Sequence, residues 1–372
     1  MKSFRIATFN VWHGLAGRGS LHGLFGFREF ESAASRDRRW RKALRDCEEI
    51  NADIFLFQEL NPVSVKGKDL VLALGGEFQG CVDQSGLKFF SLGFPHNLAS
   101  GLGILVRSAV RAARQRDLPI RVPQKLKLSG GFGKSGESVS FHLDEQRYAQ
   151  FSSVFHESLG RLMIVNTHLH HGFEKFPELL RLLTAATETG RVREEELESL
   201  NLFLENARDR RLSEMDRILE VVDSVDKDHD GVLIGGDFNS VPFGAAATLL
   251  SVSGFEDLYA RANGQSASSS SSGATWDPVL NPANHRIQQE KGFQFPLPDF
   301  GNPELLEVYR EFDRQPRRID FLFARGSLLE SAQSSRMHLT SVRNFGLPDP
   351  VGPDVGLAAS DHFGVVATWV ER

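Results

Sequence analysis

The sequence is poor in cysteine and has no long apolar run. Cys47 and Cys81 are the only two cysteines in 372 residues, which excludes a disulfide framework, and neither stands at a zinc-type spacing from a histidine or a second cysteine. Nowhere do about 18 apolar residues follow one another, the length that a membrane-spanning helix requires. Stability must therefore come from a packed core, which a chain with 41% hydrophobic residues can supply.

An excess of positive charge is also absent. The formal net charge is -5, which excludes the global basic field that dominates sequence-independent nucleic-acid binding, although a local basic groove stays open. Residues 4–9 are β-forming and follow Met1 without the basic start, apolar stretch and cleavage site of a secretion signal. We therefore expect a cytoplasmic protein, and a monomer.

Short apolar segments typical of buried strands recur along the chain. Helical periodicity separates some of them, first at Arg36–Ile50 and most strongly between His171 and Asp226. This alternation predicts packed sheets covered by helices. The predicted strands are Phe4–Val11, Asp53–Leu60, Gly101–Arg107, Tyr148–Phe155, Leu162–His168, Gly231–Ile234, Arg318–Phe323 and Gly364–Val370.

The chain is predicted to form one domain, residues 1–372. Residues suited to chemistry are spread from Asn10 to His362 and must meet in a single cleft. We expect a helical insertion at about 172–210 beside this cleft, a glycine-rich loop at Gly17–Phe30, and a flexible serine-rich loop at about 263–274, which has too little apolar surface to order itself.

The sharpest chemical signal is the segment 233–242, in which an apolar strand runs through two glycines into Asp237-Phe238-Asn239. Positions two apart in an extended segment face the same way, so both polar side chains can address one phosphate. The carboxylate would take a proton from a water that the amide orients. The competing interpretation is a polar turn that caps the strand.

Polar residues end several other apolar strands. Asp361-His362 stands directly before the last strand, and a polar turn is the alternative there. Glu59 ends a very apolar strand, where a metal ion would compensate a charge that is costly to bury, and a solvated strand end is the alternative. The histidines at 168, 170 and 171 could suggest a zinc site, but along a strand successive side chains point to different faces. We therefore favour His168 as a donor to phosphate and not as a zinc ligand.

These motifs in this order, from Thr8-Phe9-Asn10-Val11 to Ser360-Asp361-His362, resemble the endonuclease/exonuclease/phosphatase superfamily of DNase I-like nucleases, phosphatases and neutral sphingomyelinases. The resemblance implies an α/β (α+β) fold, a four-layered α/β/β/α sandwich, and a hydrolase that depends on Mg²⁺ or Mn²⁺ and attacks phosphorus in line with an activated water. The implied metal residues are Asn10, Glu59 and Asp361. The implied catalytic residues are His168, Asp237, Asn239, Asp320 and His362, with Asp320 orienting His362.

The substrate is open among three interpretations. A phosphodiesterase acting on a phospholipid or another small diester is favoured, because Asn10-Val11-Trp12 and His168-Leu169-His170 look more like neutral sphingomyelinases than like abasic-site endonucleases. The apolar stretch Leu24–Phe27 would then touch a membrane surface peripherally, the alternative being that it packs on the body. A magnesium-dependent nuclease and a non-catalytic binding protein are the other two. The segment from Thr275-Trp276 to His285 is expected to be a loop on the substrate side.

Overall fold

The computed structural model describes residues 2–13, 15–18, 27–29, 32–84, 87–89, 92–94, 100–107, 111–112, 123–130, 132–134, 136, 138–142, 146–264, 271–281, 302–329, 337–351 and 355–371. The helices in this part of the chain are α1 (Ala33–Ile50), α2 (Val63–Leu74), α3 (Pro177–Glu188), α4 (Glu194–Val225), α5 (Ala245–Val252), α6 (Leu258–Asn263) and α7 (Pro303–Asp313). None of them is long and apolar enough to cross a membrane.

Two large mixed sheets form the centre of the fold. Sheet I has the strand order β18 (Met337–Phe345), β19 (Gly364–Glu371), β1 (Ser3–Asn10), β4 (Ile54–Leu60), β8 (Ser100–Val106) and β5 (Glu77–Gln84). Sheet II has the order β10 (Lys125–Ser129), β13 (Arg147–His156), β14 (Gly160–His168), β15 (Gly231–Asp237), β17 (Asp320–Gly326) and β16 (Glu256–Asp257), with β9 (Arg111–Ala112) also pairing with β13.

Two small sheets lie apart from these. One joins β11 (Gly133–Lys134), β12 (Val139–His142), β6 (Leu87–Phe89) and β7 (Leu92–Phe94), and the other joins β2 (Leu15–Arg18) to β3 (Phe27–Glu29). The segment Gly17–Phe30 was expected to be a loop throughout. Instead, both ends of this segment belong to paired strands, in which Leu15 lies opposite Glu29 and Arg18 lies opposite Phe27. Residues 24–26 of the predicted apolar stretch lie outside the described residues.

The buried residues form successive layers. Between the sheets, aliphatic residues such as Ile6 and Leu56 of sheet I pack with Ile164 and Leu233 of sheet II. Outside sheet I, α1 and α2 bury their apolar faces against residues of β1 and β4, and outside sheet II, α4 and α5 do the same against β14 and β15. The predicted four-layered α/β/β/α sandwich is confirmed.

One polar connection crosses the aliphatic layer between the sheets. The side-chain amide of Gln58 donates to Asn166 Oδ1 at 2.7 Å, and Asn166 Nδ2 donates to the carbonyls of Phe57 and Gly103 at 2.9 and 3.0 Å. Both side chains are fully buried. Because an unpaired amide is costly in such a position, this network fixes how β14 lies over β4.

The region between sheet strands β14 and β15 is helical. Within the stretch of helical periodicity from His171 to Asp226, the structure has α3 and then the 32-residue helix α4. Its first half packs with α3 and α7 and its second half covers sheet II, so the apolar stripe changes partner midway. Residues 265–270 of the predicted serine-rich loop lie outside the described residues, and its flexibility stays a prediction.

Candidate active site

The ends of six strands meet at one edge of the sandwich. Asn10 is the last residue of β1, and Glu59 lies at the end of β4. In sheet II, His168 lies opposite Asp237, and Asp237 lies opposite Asp320 on the next strand. Asp361 and His362 directly precede β19. The structure therefore brings together at this edge every side chain for which the sequence predicted a metal-binding or catalytic role.

Strained backbone marks the same edge. Trp12, Glu59 and Asn239 have φ of 48°, 58° and 49°, a region that non-glycine residues rarely adopt. At Glu59 the strain accompanies an irregularity in register between β4 and β8, which lies between Phe57 and Leu60. Such conformations cost of order 1–3 kcal/mol each and cluster at functional sites.

Asn10 connects the two halves of the site. Its Nδ2 donates to Glu59 Oε1 at 3.1 Å and to Asp237 Oδ2 at 3.0 Å, while its Oδ1 accepts from the backbone N–H of Trp12 at 3.0 Å. Asn10 is fully buried. In this orientation the amide nitrogen faces the two carboxylates, so the side chain holds Glu59 and Asp237 in place. A direct metal bond through its oxygen stays a prediction.

His362 lies between two carboxylates. Its Nδ1 is 2.8 Å from Asp320 Oδ2, and its Nε2 is 3.9 Å from Asp237 Oδ2. Burial lowers the pKa of His362, but the negative charges of Asp320, Asp237 and Asp361 outweigh it and hold the pKa well above its ordinary value. This shift favours the protonated ring, in which Nδ1–H would donate to Asp320 and Nε2–H would be available on the side of Asp237.

Asp237 is the buried centre of the arrangement. Its Oδ2 lies 3.4 Å from His168 Nε2, and its Oδ1 accepts the backbone N–H of Asn239 at 2.8 Å. Burial and the negative charge of Asp320 raise its pKa to about 7, although His362 and the hydrogen bonds from Asn239 and Asn10 oppose this shift. A carboxyl with a pKa near neutrality is suited to accepting a proton from water.

Asn239 and Asp361 each have a hydrogen bond that holds the side chain in the site. Asn239 Nδ2 donates to the carbonyl of Leu169 at 3.1 Å, which joins the loop after β15 to the end of β14. Asp361 Oδ1 accepts from the Ser360 hydroxyl at 3.1 Å. Burial and the negative charge of Glu59 both contribute to raising the pKa of Asp361. The two predicted metal carboxylates are thus close enough to repel each other.

The pKa of Glu59 is shifted in the opposite direction, below its ordinary value. Burial raises its pKa, but the charges of His13 and His168 and the hydrogen bonds from the His13 backbone and Asn10 lower it to about 2. His13 contacts Glu59 Oε2 twice, through its backbone N–H at 3.1 Å and its Nε2 at 3.2 Å. Sequence reasoning missed His13, which follows Trp12 without any recognisable motif.

The donor set fits a hard divalent cation. The site holds four carboxylates, of which Asp237, Asp320 and Asp361 are buried and Glu59 is partly exposed. Burial, and in addition the negative charge of a neighbouring carboxylate, raises the pKa of Asp237 and of Asp361. A bound cation would relieve this repulsion, and Mg²⁺ and Mn²⁺ prefer oxygen ligands of this kind. Asp237, Asp320 and His362 place one ligand atom each within 4.8 Å of one another, but the hydrogen bond between His362 and Asp320 already accounts for that closeness.

Sequence reasoning also missed how the segment Thr275–Asn281 supports the site. Thr275 Oγ1 accepts the backbone N–H groups of Ile319 and Asp320 at 3.0 and 3.1 Å, and the Thr275 carbonyl accepts from Phe363 N at 2.7 Å. Asn281 Nδ2 donates to the carbonyl of Ser360. These contacts span 44 or more residues in sequence, so no local pattern could have indicated them.

Trp276 lies against the His362 imidazole. Its ring meets the His362 ring edge to face, with centroids 5.3 Å apart, and its indole N–H donates to the Asp313 carbonyl at 3.3 Å. The segment that was expected to be a substrate-side loop therefore also fixes the position of His362. Residues 282–285 lie outside the described residues, so contact with substrate stays a prediction.

The comparisons agree with this architecture. Residues 7–362 match the model of the Endonuclease/Exonuclease/phosphatase family, and the chain belongs to that family. No curated protein matches it in sequence. Similar solved structures include a humanized D. rerio TDP2 with 14 mutations (15% identity, 99% of both chains, TM-score 0.53) and the Bacteroides thetaiotaomicron VPI-5482 mannosyl-6-phosphatase (13% identity, 99% of both chains, TM-score 0.50). At these identities the similarity shows the fold alone.

Proposed function

We propose that the protein is a divalent-metal-dependent phosphodiesterase that cleaves its substrate by in-line attack of water. The observation that carries this proposal is the environment of Asp237. This buried carboxyl has a pKa of about 7, lies within 3.4 Å of one imidazole and 3.9 Å of another, and is hydrogen bonded to the backbone of Asn239. Such a group can take a proton from water beside a bound phosphate.

Glu59 and Asp361 would hold Mg²⁺ or Mn²⁺, with Asn10 keeping Glu59 and Asp237 in position. The cation supplies Lewis-acid stabilisation of charge on the phosphoryl oxygens and on the leaving oxygen. The low pKa of Glu59 keeps its carboxylate ionised. Its strained backbone directs that carboxylate into the site.

In the reaction, Asp237 accepts a proton from a water that the Asn239 side chain orients. The water oxygen forms a bond to phosphorus, the bond from phosphorus to the alcohol oxygen breaks, and the alcohol leaves with a proton from solvent. Protonated His362 donates Nε2–H to a non-bridging oxygen, and Asp320 keeps the ring in that orientation. His168 contacts the same phosphate from β14.

The substrate is proposed to be a phospholipid or another small diester. DNA or RNA is the alternative, and a non-catalytic binding protein is the alternative outside catalysis, against which the complete set of buried polar groups argues. A cytoplasmic location, a monomeric state and peripheral membrane contact stay predictions.

The test is hydrolysis of bis(4-nitrophenyl) phosphate, followed by sphingomyelin, lysophospholipid, an abasic-site duplex, single-stranded RNA and inositol phosphates, each with Mg²⁺. We expect chelation to abolish activity and Mg²⁺ or Mn²⁺ to restore it. Asp237→Asn removes the proton acceptor and should lower kcat by roughly 10²–10⁴-fold. His362→Ala should lower it by roughly 10²–10³-fold.

A matched control is Asp216→Asn, which makes the same chemical change on an exposed position of α4 and should leave kcat unchanged. Far-ultraviolet circular dichroism checks that every variant is folded. Near-normal turnover in folded Asp237→Asn, or activity that persists after exhaustive chelation, would contradict the proposed mechanism.

A further inference from the structure

A cavity of about 280 Å³ opens beside Glu59, outside the group of residues that would act on the phosphate. Its walls come from the residues after β1, the first turns of α1, and the start of α2. The side chains that matter for its chemistry are Trp12, His13, Arg36, Trp40, Glu59 and Lys66.

The cavity shares one wall with the active site. Glu59 lines it, whereas Asp237, His168 and His362 do not. Since Asn10 joins Glu59 to Asp237 through two hydrogen bonds of 3.1 and 3.0 Å, the cavity begins within one side chain of the phosphate position. In-line attack places the leaving oxygen on the side of phosphorus opposite the water that Asp237 activates. The cavity adjoins Glu59, which Asn10 separates from Asp237, and we assign it to the leaving alcohol on that ground.

The lining carries more positive than negative charge. Arg36, Arg39 and Lys66 are cations, and the acids are Asp37, which is exposed, and Glu59, which faces the metal position. Arg39 is buried, with hydrogen bonds to the backbone carbonyls of Ala359, Val11 and Trp12, so it contributes charge rather than free donors. Lys66 and Arg36 are only partly buried, so their charges lie at the cavity wall and not in the protein interior.

The start of α2 adds to this field, whereas Ser32 already caps α1 by accepting a hydrogen bond from Ser35 N. Arg36 lies in the first turn of α1, and Pro62, Val65 and Lys66 belong to the start of α2. Pro62 provides no side-chain cap for α2. The partial positive charge of uncapped N–H groups at a helix start favours an anion, and here it adds to the lysine and arginine charges.

The aromatic rings of the cavity are already covered by cations. The Arg39 guanidinium lies 4.3 Å from the ring centroid of Trp12, and the Lys66 ammonium lies 4.3 Å from that of Trp40. A nucleobase or another flat group would have to displace these contacts in order to stack. A phosphate would instead meet the cations directly, so the chemistry favours a compact anion.

We propose that this α1–α2 cavity binds a second phosphate, carried by the alcohol that leaves in the reaction. The proposal rests on the proposed function for the identity of the scissile bond. It predicts a substrate whose leaving alcohol is itself phosphorylated, and it disfavours one whose leaving group carries a quaternary ammonium.

The test compares ligands that differ by one phosphate. Propanediol, butanediol and hexanediol bisphosphates and the corresponding alkyl monophosphates are titrated calorimetrically in the presence of Mg²⁺, in the Asp237→Asn background so that hydrolysis does not contribute. We expect at least one bisphosphate to bind about tenfold more tightly than its monophosphate, as one charge-assisted contact would give. Lys66→Met and Arg36→Met should each remove most of that ratio.

Matched controls are Lys68→Met on α2 and Arg41→Met on α1, which are exposed, do not line the cavity, and should keep the ratio. Equal affinity for bisphosphates and monophosphates at every chain length, or a ratio that survives Lys66→Met, overturns the proposal. If the ratio behaves as expected while the wild-type protein hydrolyses no diester, the cavity assignment stands and the proposed function fails.

Discussion

Arg211 offers the strongest test of how the helical region supports the active site. This arginine of α4 is fully buried and its Nε donates to Glu174 Oε1 at 2.7 Å, while Nη1 donates to the carbonyls of His170 and Gly172 at 2.9 and 2.6 Å. These acceptors belong to the loop that follows His168. One side chain therefore fixes the path of the chain directly after His168, a predicted catalytic residue.

Glu174 extends the connection to the loop that follows Asn239. Its Oε1 also accepts from the Ser240 hydroxyl at 3.1 Å, and its Oε2 accepts from Ala245 N at 3.1 Å. Ser240 follows Asn239 in the chain. Arg211 thus stabilises the loops behind His168 and Asn239 through a single buried carboxylate.

Arg211→Met should lower the free energy of unfolding by about 3–5 kcal/mol, because it leaves Glu174 buried without a counter-charge. We also expect kcat to fall with a smaller change in KM, since the loops behind Asn239 and His168 lose their support. The measurements are urea unfolding followed by circular dichroism, and kcat and KM for a diester substrate.

The double variant Arg211→Met/Glu174→Gln separates charge burial from loss of packing. With no buried charge left, and with an amide that can still accept from Ser240 and Ala245, it should recover much of the lost stability. Arg208→Met, an exposed position on the same helix, is the control and should change stability by less than about 0.5 kcal/mol. If Arg211→Met costs less than about 1 kcal/mol, the ion pair does not hold these loops and the reasoning is wrong.

Two further predictions follow from buried hydrogen bonds. Thr275→Val leaves the N–H groups of Ile319 and Asp320 without their acceptor, so kcat should fall and the free energy of unfolding should drop by about 1–3 kcal/mol. Thr275→Ser keeps the hydroxyl and is the rescuing control. An unchanged kcat in Thr275→Val would show that this segment does not position Asp320. Burial lowers the pKa of His229, whose Nδ1 lies 3.1 Å from the Val225 carbonyl, although the charges of nearby aspartates oppose the shift. The pKa of His229 in the folded protein lies below its value of about 6.5 in the unfolded chain. The stability that the neutral ring contributes is therefore fully present above about pH 6.5, and it is lost as the pH falls from there through the pKa of the folded protein. His229→Asn should therefore show a shallower loss of unfolding free energy between neutral and acid pH than the wild type, and identical slopes would contradict this assignment.

Much of the fold could be predicted because its signals are local. An apolar strand that ends in a polar side chain is visible within a few residues, and Asn10, Glu59, His168 and Asp237 all belong to such patterns. The layer architecture follows from many buried strands with few helices between them. The predicted limits of the strands agree with the structure to within a few residues, except that β15 and β17 extend further along the chain.

What the sequence could not indicate depends on distant contacts or on backbone conformation. The positive φ of Glu59 directs its carboxylate into the site, yet nothing in the residues 54–60 requires a left-handed residue at that position. The strands of the small sheet that includes β6 and β12 are too short to show a periodicity. The contacts of Thr275 and Arg211 join segments that are adjacent only once both sheets have formed.

The position of the active site itself follows from connectivity. Among the strands that the structure describes, sheet I has one parallel pair, β1 and β4, and sheet II has one, β14 and β15. Helix α1 connects the first pair, and the second is connected through α3 and α4. Parallel neighbours require such a crossover, and both strands of a parallel pair end at the same edge of the sheet.

The first parallel pair therefore brings Asn10 beside Glu59, and the second brings His168 beside Asp237. Packing the two sheets face to face then places these two pairs against each other. The result is the hydrogen bond of 3.0 Å from Asn10 Nδ2 to Asp237 Oδ2. The antiparallel strands β17 and β19 contribute from their starting ends, with Asp320 and with Asp361 and His362. The order strand, helix, strand in each half of the sequence thus explains why Asn10 and Asp237, 227 positions apart, meet in one candidate site.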